Sequence, residues 1–180
     1  MIFLSAQEPT AHLFVPHKSI NMKKILFLLA LFATVFSSNT FAQDSLNRSS
    51  VPQVLTQYYN IKDALVAGKS TDARACAEQF LKLVNAIDYK VITESNINAL
   101  LKDASAISDT KDIKVQREHF ATLSNNMAVL AASVKFTTDP VYQAYCPMKK
   151  ATWLSKDKTI RNPYYGSSML TCGKVVATIQ

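Results

Sequence analysis

The sequence is poor in the residues on which most catalytic and nucleotide-binding sites depend. It contains only three glycines and three histidines. It has no Gly-rich phosphate loop, no helical His-Glu metal-binding motif and no serine nucleophile elbow. These absences remove the support for nucleotide chemistry and for ordinary hydrolase chemistry. We therefore expect that the protein is not an enzyme.

Long hydrophobic runs are also scarce. The run from Ile25 to Phe36 is largely apolar, but it is shorter than the roughly 20 residues that a membrane-spanning helix needs. It follows Met22-Lys23-Lys24 and precedes small residues, which is the pattern of a secretory signal. We predict that translation starts at Met22 and that residues 1–42 are an upstream extension plus a signal peptide cut after Ala42. The mature protein is then periplasmic or secreted, without a stable membrane anchor.

Acidic residues are few, and the chain remains mildly basic after the predicted cut. The formal net charge is +7, and residues 1–42 contain three lysines and one glutamate. One segment, in which Asp157 is the sole acid, carries a cluster of basic residues: Lys149, Lys150, Lys156, Lys158 and Arg161. Such a cluster suits an acidic partner or a membrane surface, although a solvated face is the simpler explanation. No basic motif interleaved with aromatic residues is present, so we expect no nucleic-acid partner.

Residues 43–180 predict one domain that is mainly α-helical. About 138 residues suffice for one ordinary core and are too few for two domains. Apolar residues recur at helical spacing in four segments: Pro52 to Gly68, Ser70 to Ile87, Glu94 to Ile107 and Lys111 to about Val134. We place Pro52 in the first turn of the first helix and expect Ser70-Thr71-Asp72 to cap the second. Short connections favour antiparallel neighbours, so we expect an up-and-down bundle of about four helices.

The composition of the chain changes over residues 137–180. Helix cannot run through this region, because prolines and glycines interrupt it: Pro140, Pro147, Pro163, Gly166 and Gly173. Its tyrosines and its tryptophan have apolar bodies and polar tips, and such side chains fix a loop by packing on a core. We predict an irregular, aromatic-rich cap with one or two short strands, near Tyr142 to Cys146 and Lys174 to Ile179.

Two places in this tail bring a thiol and a thioether together. In Cys146-Pro147-Met148 they are two residues apart, and an extended chain would project both to one side. Met169 and Cys172 are three apart, so one helical turn would bring them to one face. Four sulfurs that meet would suit Cu(I) and similar soft ions, whereas Zn²⁺ sites favour Cys and His. The candidate metal ligands are therefore Cys146, Met148, Met169 and Cys172, with His119 as a further candidate.

Each of these residues also has an ordinary structural explanation. In an oxidising compartment Cys146 and Cys172 could form a disulfide that closes a loop of about 25 residues, typically worth roughly 3 kcal/mol. The two methionines could fill gaps in the core. Cys76 lies on the apolar stripe of the second helix and fits a small buried hydrophobe. His119 fits a partly buried structural residue, although a nucleophilic Cys-His pair is formally possible.

Several longer motifs are spread along the chain. They are Tyr58-Tyr59 with Ile61 to Leu65, Gln116 to Phe120, Tyr145 to Met148, Trp153 to Ser155, Asn162 to Gly166, and Met169-Leu170 with Cys172-Gly173. Together, over about residues 50 to 180, these stretches resemble an exported family, domain of unknown function 3347.

The resemblance implies a cellular context more than a mechanism. Similar domains occur alone in the periplasm and fused to the periplasmic adaptor subunits of copper and silver efflux pumps. Tyr145-Cys146-Pro147-Met148 also looks like the opening of a heavy-metal-binding motif in such adaptors, but His-Pro follows there and Lys149-Lys150 follows here.

The expected function is therefore an exported protein that binds a soft metal ion, Cu(I) or Ag(I), in heavy-metal homeostasis or efflux. The implied partner is an efflux-pump component or a metallochaperone. The alternative is a structural or protein-interaction module, stapled by a disulfide between Cys146 and Cys172, that binds no metal.

Overall fold

The structure is a computed structural model that describes residues 42–179. The upstream extension and nearly all of the predicted signal peptide, residues 1–41, lie outside the described residues. Cleavage after Ala42 therefore stays a prediction. Within residues 42–179, no helix combines the length and the apolar character needed to cross a membrane.

Four helices form the first part of the described chain, and each packs against the next. Their bounds are α1 Ala42–Val66, α2 Ser70–Asn85, α3 Glu94–Ser108 and α4 Ile113–Ser133. Apolar faces at helical spacing form the core between them, with fully buried residues such as Ile61, Phe80, Leu100 and Leu123. The prediction of a mainly α domain with about four helices is confirmed.

The amino terminus of α1 differs from the prediction, because Pro52 lies inside the helix and not in its first turn. A proline in a helix interior removes one backbone hydrogen bond, which normally ends or kinks the helix. Here Val51, Val54 and Leu55 around it are buried in the core. Burial of these side chains offsets the missing hydrogen bond, so the helix continues through the proline.

The start of α2 is also simpler than predicted. Gly68 has a φ of 72°, in the left-handed region, and ends the preceding helix. The next residue, Lys69, is the N-cap and provides no side-chain hydrogen bond, so Ser70 is the first helical residue and not part of a cap. Side-chain caps occur instead at Thr93 before α3 and at Asp112 before α4.

The tail forms a three-stranded antiparallel sheet with the order β2-β1-β3. Its strands are β1 Val141–Cys146, β2 Ala151–Ser155 and β3 Lys174–Ile179, and a short 3₁₀ helix spans Gly166–Met169. The two predicted strands are confirmed as β1 and β3, whereas β2 was not predicted. Four of the five β2 residues are buried, so the strand lacks the alternation that marks an exposed strand.

An aromatic cluster joins the tail to the bundle. Phe120 of α4 stacks on Tyr58 of α1 with ring centroids 5.2 Å apart, and Tyr164 of the tail lies 6.1 Å from Phe120 and 6.0 Å from Trp153 of β2. These four rings bury large apolar areas in one continuous column. The column fixes the β1–β2 hairpin on the helices.

The buried hydroxyl of Tyr58 adds hydrogen bonds to this contact. Its oxygen lies 2.7 Å from the Ser124 hydroxyl and accepts a hydrogen bond from the backbone N–H of Leu154 at 3.0 Å. Burial is the largest of the effects that raise the pKa of Tyr58 well above its usual value. The phenol therefore stays protonated and links α1, α4 and β2.

Replacement of Tyr58 by Phe is expected to lower the free energy of unfolding by about 1–3 kcal/mol, because the buried Leu154 N–H loses its partner. Tyr59→Phe is the matched control, since the Tyr59 hydroxyl has no hydrogen-bond partner among the described residues. That variant should differ from the parent by less than about 0.5 kcal/mol. Urea unfolding followed by circular dichroism measures both. Equal effects of the two substitutions would contradict the assigned role of Tyr58.

Candidate functional site

Cys146 is the last residue of β1, and its side chain is fully buried. Two N–H groups point at its sulfur: the side-chain amide of Asn162 at 3.1 Å and the backbone N–H of Lys149 at 3.4 Å. The second contact exists because the chain turns back after Cys146 to begin β2. Donors of this kind suit a sulfur that carries negative charge, as a metal-bound thiolate does.

Asn162 holds the two ends of the tail together. Its side-chain N–H₂ donates to the Cys146 sulfur and, at 2.7 Å, to the backbone carbonyl oxygen of Cys172. Its side-chain oxygen accepts the backbone N–H of Tyr164 at 2.8 Å. Its own backbone N–H donates to the carbonyl oxygen of Leu170, and its carbonyl oxygen accepts the N–H of Gly166. The side chain is fully buried. Its three hydrogen bonds leave no polar group of the amide without a partner.

Cys172 lies next to Cys146, but it is only partly buried. Partial burial raises the pKa of the Cys172 thiol, and the charge of Cys146 and a hydrogen bond with Cys146 raise it further, while the Met148 backbone N–H opposes the change. All three cysteines, these two and Cys76, are free thiols. The structure therefore brings Cys146 and Cys172 together as one buried and one accessible thiol.

The inner wall of this thiol pair is aromatic and tightly packed. Gly173 follows Cys172 with a φ of 146°, and a Cβ atom at this position would lie 2.8 Å from Cη2 of Trp153 and 3.0 Å from the carbonyl oxygen of Tyr145. Only glycine lets the chain pass so close to the tryptophan ring. Behind it, burial is the main cause that raises the pKa of Tyr164, and nearby Cys146 raises it further. One side of the pair is thus closed to water.

The two methionines lie at the surface. The extended geometry predicted for Cys146-Pro147-Met148 is wrong, because residues 147–150 form the hairpin turn between β1 and β2. Met148 is consequently 60% exposed. The turn predicted between Met169 and Cys172 is present, since the N–H of Cys172 donates to the carbonyl oxygen of Met169 at 3.0 Å. Met169 is also exposed, so neither methionine fills the core.

His119 is half-buried on α4, as expected for a structural histidine. Its neighbour Glu118 forms an ion pair with Lys149, which fastens the hairpin turn to the helix. Across residues 42–179, however, no group of three or more Cys, His, Asp and Glu side chains converges closely enough to hold a metal ion. His119 therefore does not join Cys146 and Cys172 in one cluster. Cys76 is half-buried on α2 and packs against the core.

Sequence reasoning missed Asn162 as a site residue, although it lies within the Asn162 to Gly166 motif. Nothing in the local sequence distinguishes a buried asparagine from an exposed one in a loop. The available signal was indirect. The stretch between Ile160 and Cys172 has little regular structure, so a buried polar side chain is needed to hydrogen-bond its backbone groups.

Replacement of Asn162 by Ala should release the thiol pair, because the Tyr164 N–H and the Cys172 carbonyl oxygen lose their buried partner. We expect a loss of roughly 2–3 kcal/mol in stability, and alkylation of Cys146 in the native protein that is at least about tenfold faster, as local opening becomes easier. Asn125→Ala is the matched control, since exposed Asn125 accepts a hydrogen bond from Thr152 of the same hairpin. Mass spectrometry of timed alkylation reports the rates. An unchanged Cys146 rate in Asn162→Ala would show that the amide does not hold the pair.

A comparison of the chain with known proteins identifies its family. No curated protein and no solved structure is significantly similar to the chain. Residues 54–139 match the profile of a family that is described as "Protein of unknown function (DUF3347)". The match includes about half of α1 and all of α2 to α4 and ends before β1, so Cys146 and Cys172 lie outside it. The helical region of residues 54–139 belongs to the DUF3347 family, whose description assigns no activity.

Proposed function

We propose that the protein binds a soft monovalent metal ion, Cu(I) or Ag(I), through Cys146 and Cys172. The observation that carries this proposal is the amide of Asn162, which donates to both the Cys146 sulfur and the Cys172 carbonyl oxygen and so holds the two cysteines side by side. The backbone N–H of Lys149 is a second donor to the Cys146 sulfur. The ion is the cargo of the protein, and the proposed role is heavy-metal homeostasis or efflux outside the cytoplasm.

The donor set favours a soft ion of low coordination number. Thiolates suit Cu(I), Zn²⁺ and Fe–S clusters, and among these a soft monovalent ion is the one that two sulfur ligands can satisfy. Structural Zn²⁺ sites use four ligands, and catalytic ones use three protein ligands plus water. The part of the chain that the structure describes gathers no third Cys, His, Asp or Glu around the pair. The residues therefore fit Cu(I) or Ag(I) and do not fit Zn²⁺.

The surroundings of the pair support binding and exchange. The N–H groups that contact Cys146 would orient this sulfur and stabilise its charge when it is bound to the ion. Cys172 is the accessible sulfur, so an ion would enter and leave on its side. Met148, whose backbone N–H faces Cys172, has an exposed and flexible side chain that can rotate toward the ion. Met169 at the end of the 3₁₀ helix is the second thioether candidate.

The cellular context of the proposal comes from the sequence. The predicted signal peptide favours the periplasm or secretion, and the resemblance to domains fused to copper and silver efflux adaptors favours an efflux-pump component or a metallochaperone as partner. These features explain why an ion held by two thiols would be passed on to another protein.

A disulfide-stapled interaction module is the second candidate function, and the same proximity supports it. Oxidation of Cys146 and Cys172 would join β1 to the segment before β3 and close a loop of about 25 residues. The tail would then be a rigid cap, and the function would lie in a surface that binds another protein. The two candidates differ in the number of free thiols.

Thiol counting separates the two candidates. The protein is isolated after export and unfolded under anaerobic conditions in the presence of an alkylating reagent. Its mass is then measured by mass spectrometry. Metal binding predicts three alkylated cysteines, whereas the bridged module predicts one, on Cys76. The same spectrum tests export, because cleavage after Ala42 gives a mature chain that begins at Gln43. A mature protein with a single alkylated cysteine would refute the metal proposal.

Competition against a coloured Cu(I) chelator tests the ligands. Cys146→Ser and Cys172→Ser should each lower the Cu(I) affinity by more than the 10- to 100-fold that loss of a supporting contact costs. Cys76→Ser is the matched control, because it makes the same chemical change at a half-buried thiol of α2 and should leave the affinity unchanged. Met148→Ala and Met169→Ala should lower the affinity only if these thioethers bind the ion. Equal affinities of the parent and both tail cysteine variants would overturn the site.

A further inference from the structure

A cleft lies at the open end of the β1–β2 hairpin, where Tyr142 pairs with Ser155, and not at the turn that follows Cys146. Its volume is about 650 Å³, near the middle of the range for small-molecule sites. One wall is a face of α1, and the other is the chain that enters β1 and leaves β2. Among the described residues that line the cleft there is no cysteine. A ligand of this cleft is therefore independent of the thiol pair.

Both walls of the cleft are regular, hydrogen-bonded structure. Leu55, Tyr59 and Asp63 are spaced four residues apart, so they share the face of α1 that lines it. On the opposite wall, the backbone N–H of Asp139 donates to the Thr137 hydroxyl at 3.1 Å, which fixes a turn just before β1. Because β1 pairs with both of its neighbouring strands, this wall is held in place. The cleft is thus preformed.

The phenol of Tyr59 and the carboxylate of Asp157 form the electronegative part of the cleft. Burial raises the pKa of Tyr59, and the nearby charge of Asp157 raises it further. The Tyr59 hydroxyl has no hydrogen-bond partner, and the Asp157 carboxylate has no ion-pair partner, among the described residues. Both residues line the cleft, so it offers two neighbouring acceptors to a donor from solution.

Two lysines near the cleft are already engaged. The Lys62 ammonium lies 3.1 Å from the Asp63 carboxylate and 5.7 Å from the centre of the Tyr59 ring. The Lys158 ammonium lies 5.5 Å from the centre of the Tyr142 ring. Within the described part of the chain, neither ammonium forms an ion pair with another acid of the cleft.

The remaining charges of the lining favour a cation. Among the described residues, two acids of the lining, Asp139 and Asp157, and one base, Lys156, form no ion pair. This excess of acid contrasts with the formal net charge of +7 of the whole chain. Charge complementarity therefore favours a positively charged ligand. Pro52 and Pro140 also line the cleft and add apolar surface for the body of such a ligand.

From these observations we infer that the cleft binds a small organic ammonium ion with an apolar body. The ammonium group donates hydrogen bonds to the Asp157 carboxylate and to the Tyr59 phenol oxygen. The apolar body packs between α1 and the chain that enters β1. This binding site is separate from the cysteines and does not require a metal ion.

NMR titration of the ¹⁵N-labelled, metal-free mature protein with 2-phenylethylamine tests the inference. We expect saturable shifts of the backbone amide signals of Tyr59, Tyr142 and Asp157. Two analogues of similar size are the comparison: 2-phenylethanol is neutral, and 3-phenylpropanoate is anionic. Each should bind about three- to fivefold more weakly or worse, because each lacks the charge that pairs with Asp157.

Two variants locate the ammonium group. Asp157→Asn should weaken binding of 2-phenylethylamine about fivefold, as expected for loss of one exposed ion pair. Tyr59→Phe should weaken it about threefold, through loss of one hydrogen bond. Glu94→Gln is the matched control, because it makes the same carboxylate-to-amide change at an exposed residue of α3 outside the cleft. It should leave the affinity unchanged.

Three results would each overturn the inference. The first is the absence of saturable shifts at the cleft with 2-phenylethylamine. The second is binding of 3-phenylpropanoate that is as tight as that of the amine. The third is an equal effect of Asp157→Asn and Glu94→Gln. None of these results bears on the metal proposal, since the cysteines are unchanged and no metal ion is added.

Discussion

The geometry of the thiol pair depends on one buried amide, the side chain of Asn162. Its N–H₂ group contacts the Cys146 sulfur and the Cys172 carbonyl oxygen at once, so it fixes β1 relative to the chain segment that precedes β3. A buried amide must satisfy every donor and acceptor or pay a desolvation cost for each unmet group. The three hydrogen bonds of the Asn162 side chain therefore depend on one another. This is why Cys146 of β1 and Cys172 of the irregular segment before β3 can hold a fixed relative position without a covalent link.

The bundle and the tail have different tasks. The helices supply most of the buried apolar surface, and the family match covers them and ends before β1. The tail carries the Cys146 and Cys172 side chains and packs against the helices through four aromatic rings, those of Tyr58, Phe120, Trp153 and Tyr164. Because the Tyr58 hydroxyl accepts the N–H of Leu154 in β2, the orientation of the hairpin is set by the bundle. The site is thus built on a hairpin whose far strand is anchored to a rigid core, and rigid support is what a preorganised ligand pair requires.

Hydrophobic spacing was sufficient to predict the four helices, because each buries a face at helical period. It placed α3 within one residue of its observed end. It could not place the start of α1, where burial of Val51 and Leu55 overrides the local effect of Pro52. It also missed β2, since the hairpin turn is closed by Lys150 at a φ of 55° and not by an Asn-Gly or Asp-Gly pair. The sulfur-site hypothesis required the two cysteines to be neighbours, but spacing within each Cys and Met pair did not predict this, and the hairpin turn exposes Met148. Asn162 acts through long-range contacts that no local pattern encodes.

The two sulfurs differ in their surroundings, and this asymmetry decides what the pair can do. Cys146 is enclosed and receives two N–H groups, so a bound ion would keep this ligand longest. Cys172 is accessible, and desolvation and the neighbouring Cys146 raise the pKa of its thiol. Under the proposed function, Cys146 would be the fixed anchor and Cys172 the ligand that exchanges.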